Sequence, residues 1–187
     1  MKSPYQFIVK AVDNKRYNNT KQLGNVELIT STSKEDHKAS NRQAIVLSTP
    51  LGYSGDIVKG DILLVHHNVF KYYYDMKGRE QSGKSFLKDD IFLIDYDQFF
   101  LYKHHNEWRT HDKYCFVKPI LSKDSYLAKN ELEEPLHGIL KYSNTQLEKL
   151  GAKEGDKVIF TPESQYEFYV DGEKLYRMFT NNIVLIL

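Results

Sequence analysis

With one cysteine among 187 residues, Cys115, the chain has no means of forming an internal disulfide. Proline is scarce as well, at five residues, and tryptophan occurs once. Charges interrupt every long window, so there is no uninterrupted run of the roughly 18 apolar residues that a membrane-spanning helix needs. Neither sign of charge prevails: 26 Lys and Arg stand against 25 Asp and Glu, a formal net charge of +1. A chain so balanced has no global field with which to hold a polyanion, which argues against a purely electrostatic nucleic-acid binder. Met1-Lys2-Ser3-Pro4-Tyr5 leads straight into a strand-like run rather than an apolar signal core, and together with the lone cysteine this sets the expectation of a cytoplasmic protein in a reducing interior.

What the chain does have is aromatic and β-branched residues. Hydrophobic residues make up 41% and aromatics 13%, too rich for a disordered chain, and 14 are tyrosine. The apolar residues fall in short bursts separated by turn chemistry: Phe7-Ile8-Val9, Ala44 to Leu47, Ile62 to Val65, Ile91 to Ile94, Val158 to Phe160 and Ile183 to Leu187. That pattern predicts an all-β fold of small barrels or sandwiches. One helix of about one or two turns is expected at Thr145 to Leu150, where Leu147 and Leu150 are three apart and Gly151 stops the run.

Several of these bursts occur twice in the same order. Tyr5 to Ala11 resembles Tyr114 to Ile120, and Ala44 to Ser48 resembles Gly138 to Tyr142. Val58-Lys59-Gly60-Asp61 before an apolar strand matches Lys153-Glu154-Gly155-Asp156, and Asp89-Asp90-Ile91 is set against Asn181-Asn182-Ile183. The order predicts a duplicated module, residues 1–96 and 112–187 with a linker or seam over 97–111. The first copy carries a long polar excursion, about 15–43, that the second lacks. It also has a longer hairpin tip, Asp75 to Lys84, where the second copy has the two-residue turn signal Asp171-Gly172.

In this order the segments resemble the GroES-like co-chaperonin family, the small lids of chaperonin cages, and they do so twice. The first strand Tyr5 to Lys10, the loop Gly24 to Thr30, the Ile57-Val58-Lys59-Gly60-Asp61 turn and its repeat from Gly151 to Phe160 carry the resemblance, with the hairpin from Val170 and the last strand from Asn182. The resemblance implies two small GroES-like β-barrel modules in tandem, with Gly60, Asp61, Gly155 and Asp156 as structural turns. It implies a non-enzymatic, ring-forming co-chaperonin-like protein that docks on a chaperonin through Val26, Leu28 and Ile29, with no cofactor and no nucleic-acid or membrane partner. A phage virion structural protein, such as a neck, ring or capsid-auxiliary component, is the alternative on the same fold, with the virion then its location. The partners are accordingly a chaperonin ring or neighbouring virion proteins, and copies of the chain itself. In such a ring Tyr5 to Val9 and Ile183 to Leu187 are the expected edge strands that pair between subunits.

From the residues alone, Val26 to Thr30 has two readings. It is an apolar island in a loop too polar to bury itself, folding on a partner, or an ordinary strand that completes the barrel.

Other motifs carry less. Gly78 to Ser85 satisfies the phosphate-loop pattern, with Lys84 and Ser85 in the roles that touch phosphate and metal. Only Phe86 to Asp90 separates it from the next apolar run, too little for the helix such a loop requires. The pairs His66-His67 and His104-His105 are adjacent, and neighbours on a regular strand point to opposite faces, so no metal site is expected. Cys115 is expected buried and inert. Phe99, Leu101 and Trp108 read as cover for the seam between modules.

Overall fold

In the computed structural model the described residues are 1–18, 20–24, 26–29, 39–111, 113–122 and 133–187. They divide into two compact units, Met1–Glu107 and Trp108–Leu187. Among the described residues the architecture is all-β with one short α-helix. Among the described residues no helix is long and apolar enough to cross a membrane.

The first unit contains β1 (Phe7–Ala11), β2 (Thr20–Leu23), β3 (Val26–Ile29), β4 (Gln43–Ser48), β5 (Ile62–Val65), β6 (Tyr72–Tyr74), β7 (Glu80–Ser82), β8 (Phe86–Lys88), β9 (Ile91–Ile94) and β10 (Phe99–His104). β11 (Glu107–Thr110) leads out of it, and the sheet order is β11-β10-β5-β4-β1-β9-β8, with β2–β3 and β6–β7 as separate two-stranded hairpins. β1 lies between β4 and β9, and Phe7, Ile8 and Val9 are all buried. A strand paired on both edges and covered on both faces has to read as a continuous apolar run. The expectation that Tyr5 to Val9 is a free edge is therefore wrong. Phe7 anchors the core with edge-to-face contacts to Tyr53, Tyr96 and Phe99 at 5.1, 5.3 and 5.4 Å. The stretch 97–111, expected as a linker, instead supplies β10. Phe99 belongs to the first unit's core, and Leu101 pairs with Leu64 within that unit's sheet.

The second unit contains β12 (Tyr114–Leu121), β13 (Glu133–Tyr142), α1 (Thr145–Lys149), β14 (Lys157–Phe160), β15 (Tyr166–Val170), β16 (Glu173–Phe179) and β17 (Ile183–Ile186), in the order β15-β16-β12-β13-β14-β17. α1 is capped by Asn144, whose side chain accepts from the amides of Gln146 and Leu147, and Gly151 beyond it has φ +94°. Cys115, Val117, Leu140, Leu147, Val158, Phe160 and Met178 form the core. Among the described residues no strand pair joins the two ends of either sheet, so the expected barrels are open sheets in hydrogen-bond terms.

The two sheets repeat each other in register. β1 and β12 each slip by one residue at the same place, before Val9 and before Val117, which face Val46 and Leu140. Gly60 and Gly155 donate to the carbonyls of Val46 and Leu140 at 2.9 and 2.8 Å, and Asp61 and Asp156 accept in turn from the amides of Val58 and Lys153. Both glycines sit near φ +100° and +95°, where a side chain is strained. Val9 thus matches Val117, one residue off the sequence match of Tyr5 to Ala11 with Tyr114 to Ile120, and the last repeat does not align as the sequence suggests either. Ile94 faces Phe7 as Met178 faces Cys115, so β9 corresponds to β16, and Ile183–Ile186 corresponds to β10. The Asp171-Gly172 turn then matches the Asp89-Asp90 turn between β8 and β9, and β6–β7 is an extra hairpin of the first unit.

Candidate functional site

The excursion between β1 and β4 leaves the sheet through a cross-linked stem. The amide of Asn18 donates to Ala39 at 2.7 Å, Tyr17 bridges Ser40, and the amide of Asn41 donates to Arg16 at 2.9 Å. Asn41 is buried and its side-chain amide donates to the carbonyls of Val12 and Lys15, while the Ser40 hydroxyl donates to His67. These bonds satisfy backbone groups that a buried stem could not leave unpaired. Residues 19, 25 and 30–38 lie outside the described residues, so that part of the expected 15–43 loop is not placed.

Beyond the stem β2 and β3 pair as a hairpin, Leu23 opposite Val26 and Thr20 opposite Ile29, with Gly24 at φ +61° in the turn. The segment Val26 to Ile29 is thus a strand, but its partner is β2 and it does not belong to the seven-stranded sheet. Val26 is 59% exposed and Leu28 45% exposed. Two residues apart on a strand, they share one face. Ile29 ends the same strand.

Arg16, at the root of the stem, is the residue that sequence reading passed over. Its side chain is 9% exposed, and its guanidinium lies 4.2, 4.7 and 4.8 Å from the ring centres of Tyr72, Phe86 and Phe92. Nη1 donates to the Ser82 hydroxyl at 3.0 Å and Nη2 stands 3.6 Å from Asp90, while Nε is buried without an acceptor. Each cation–π contact of this kind is worth roughly 0.5–2 kcal/mol. Beside it the Tyr17 hydroxyl accepts from the amide of Tyr72 at 2.8 Å, and burial raises the pKa of that phenol. The only advance signal was Arg16-Tyr17 at the start of a polar stretch, which fits a solvated loop equally well.

A second exposed apolar surface is in the other unit. Val184, Leu185, Ile186 and Leu187 are 53%, 54%, 41% and 64% exposed, and among the described residues β17 ends its sheet, paired with β14 alone. Ile183 to Leu187, expected as an edge strand, is indeed at an edge, paired along β14. Beside it Leu147, Leu150, Thr180, Ile183, Val184 and Ile186 line a groove of about 720 Å³. Leu101, the counterpart of Leu185 in the first unit, is fully buried.

The remaining motifs resolve into structure. Gly83 donates to the Lys71 carbonyl, and a Cβ there would meet the carbonyls of Asn68 and Lys71 at 3.2 and 3.3 Å. Ser85 is buried, its hydroxyl accepting from Gln98 and its carbonyl from Leu93, and strand β8 follows where a phosphate loop needs a helix. Lys84 is exposed. The histidine pairs do not splay as strand neighbours would: the rings of His66 and His67 are 4.1 Å apart and those of His104 and His105 3.9 Å. His66 and His67 follow the end of β5, and His105 occupies a turn at φ +48°, so strand alternation fails at both. His104 Nδ1 lies 2.9 Å from the Asp61 carboxylate, tying β10 to the Gly60-Asp61 turn. Among the described residues no three His, Cys, Asp or Glu converge on a metal-sized site. Burial pushes the Cys115 thiol up to about 12, with Arg177 a lesser, opposing influence. In the second unit Trp108 donates to Asp171 at 2.9 Å.

The chain matches no family model, and no curated protein matches it.

Proposed function

We propose that the chain is a non-enzymatic co-chaperonin-like protein, assembling with copies of itself into a ring and docking on a chaperonin through Val26, Leu28 and Ile29. The observation that carries this reading is the β2–β3 hairpin, which holds Val26 and Leu28 exposed on one face, outside the sheet and at the end of a clamped stem. Both side chains keep about half of their surface uncovered in that position, and two apolar residues two apart on a strand suit an apolar groove or a sheet edge on a partner. One such contact per chain is weak, and a ring multiplies it. The uncovered strand β17 and the groove beside it supply the surface for self-assembly. Gly155-Asp156 turns the chain into β14, the partner of β17, and Gly60-Asp61 does the same for β5 in the first unit; no cofactor, nucleic acid or membrane enters this reading. In this reading the protein works in the cytoplasm.

A virion structural role, as a neck, ring or capsid-auxiliary protein, is favoured by β17 alone, because an apolar edge serves any closed ring. One experiment separates the two. A lid binds a chaperonin ring in the presence of nucleotide and slows its ATP turnover, and Leu28→Asp abolishes both effects. A virion component ignores the chaperonin and co-purifies with particles.

A further inference from the structure

We infer that Arg16 is a positioning residue that couples the docking hairpin β2–β3 to the hairpin β6–β7, so that the presentation of Val26 and Leu28 is set from outside the loop. The three rings around its guanidinium come from β6, β8 and β9, and among the described residues its close hydrogen bond goes to Ser82 at the end of β7. Ser82 pairs across the hairpin with Tyr72. Tyr72 in turn donates its amide to Tyr17 and stacks on that ring, centroids 6.1 Å apart and planes 12° from parallel. Two consecutive stem residues thus grip both strands at the root of β6–β7 and close a circuit: Arg16 to Ser82, Ser82 to Tyr72, Tyr72 to Tyr17.

The grip depends on the guanidinium. A planar fork can lie against ring faces and still reach Ser82, whereas an ammonium is a compact point charge on a flexible stem. It is also a hold that yields, because Nε has no acceptor and Asp90 stands at 3.6 Å, so ring faces rather than a full set of hydrogen bonds retain the side chain. The stem's other strand is tied separately, through Ser40 to His67 and Asn41 to Val12 and Lys15. A shift of the stem that carries the docking hairpin therefore meets Tyr72 and Ser82, at the root of the hairpin that exposes Tyr73, Tyr74 and Met76.

The effect on docking rests on the chaperonin reading; the coupling itself does not. Hydrogen exchange on the full chain tests the coupling without a partner. Arg16→Lys is expected to speed exchange of the Tyr72 amide together with those of Asn18 and Asn41, while the amides of Leu140 and Gly155 in the second unit keep their rates. Tyr72→Leu, made on the hairpin side, is expected to speed Asn18 and Asn41 reciprocally. Stem amides that respond to Arg16→Lys without Tyr72, or that ignore Tyr72→Leu, overturn the coupling. If Arg16→Lys does not fold, Tyr72→Leu decides alone. With a chaperonin ring and nucleotide, Arg16→Lys should bind about tenfold more weakly although Val26 and Leu28 are intact and the circular dichroism is unchanged. Unchanged affinity refutes the positioning role. A wild-type chain that binds no chaperonin refutes the docking reading and leaves the coupling to the exchange rates.

Discussion

Replacing Leu185 by glutamate tests whether β17 is an interface. Leu185 is 54% exposed, and Val184, Ile186 and Leu187 beside it retain 53%, 41% and 64%. Full burial of such a side chain contributes about 1.5–3 kcal/mol, so covering the exposed half of each is worth about 1 kcal/mol. Leu185→Glu removes one such share and places a carboxylate in the contact, where leaving water costs a further few kcal/mol or excludes the pairing altogether. A loss of about 3 kcal/mol weakens association by more than about a hundredfold. Sedimentation equilibrium should find the wild-type chain assembled at micromolar concentration and the variant as a monomer with a nearly unchanged melting temperature. Leu101→Glu supplies the contrast. That counterpart residue is fully buried, so the same charge should unfold the first unit instead of dissociating an assembly. A wild-type monomer at micromolar concentration, or a variant that assembles as tightly as wild type, refutes the reasoning.

Gly60→Ala and Gly155→Ala should each cost about 1–2 kcal/mol in their own units, because φ near +100° and +95° is closed to a side chain, and two-stage denaturant unfolding would read the losses separately. Cys115, buried and pushed up to about 12, should resist iodoacetamide at pH 8 in the folded chain and react fully after denaturation. A hydrogen bond from Lys118 at 2.6 Å, seconded by Lys141, holds the Glu173 carboxyl below its ordinary value. Its folded pKa being depressed, the contribution is complete above about pH 4.3 and is lost as pH falls through the lower folded value; Glu173→Gln should flatten the second unit's acid unfolding profile over that window.

Local chemistry was legible wherever a few neighbouring residues settle the geometry. The alternation and β-branched bursts sufficed for an all-β fold. The Gly-Asp turns were readable because glycine is the residue that accepts their φ and the aspartate caps an amide three residues back. The short helix expected at Thr145 to Leu150 runs from Thr145 to Lys149, with Asn144 as its cap. For Val26, Leu28 and Ile29, sequence singled out the apolar island but left open whether it was a loop or a strand. A pattern of period two is the same whether the strand joins the main sheet or pairs with its own return.

What only the tertiary structure decided is which strand lies beside which, and what covers it. Ile91-Phe92-Leu93-Ile94 and Ile183-Val184-Leu185-Ile186 look alike, each following a polar pair. Yet β9 sits inside its sheet with Phe92 and Ile94 buried, and β17 ends its sheet with Val184, Leu185 and Ile186 exposed. Hydrophobicity along a strand records that its side chains leave water somewhere, whether in the same chain or against another. Arg16 was hidden for the same reason. The three rings that hold it lie 56 to 76 positions away in the sequence, and a contact of that separation exists only once β6, β8 and β9 have been brought together by the sheet.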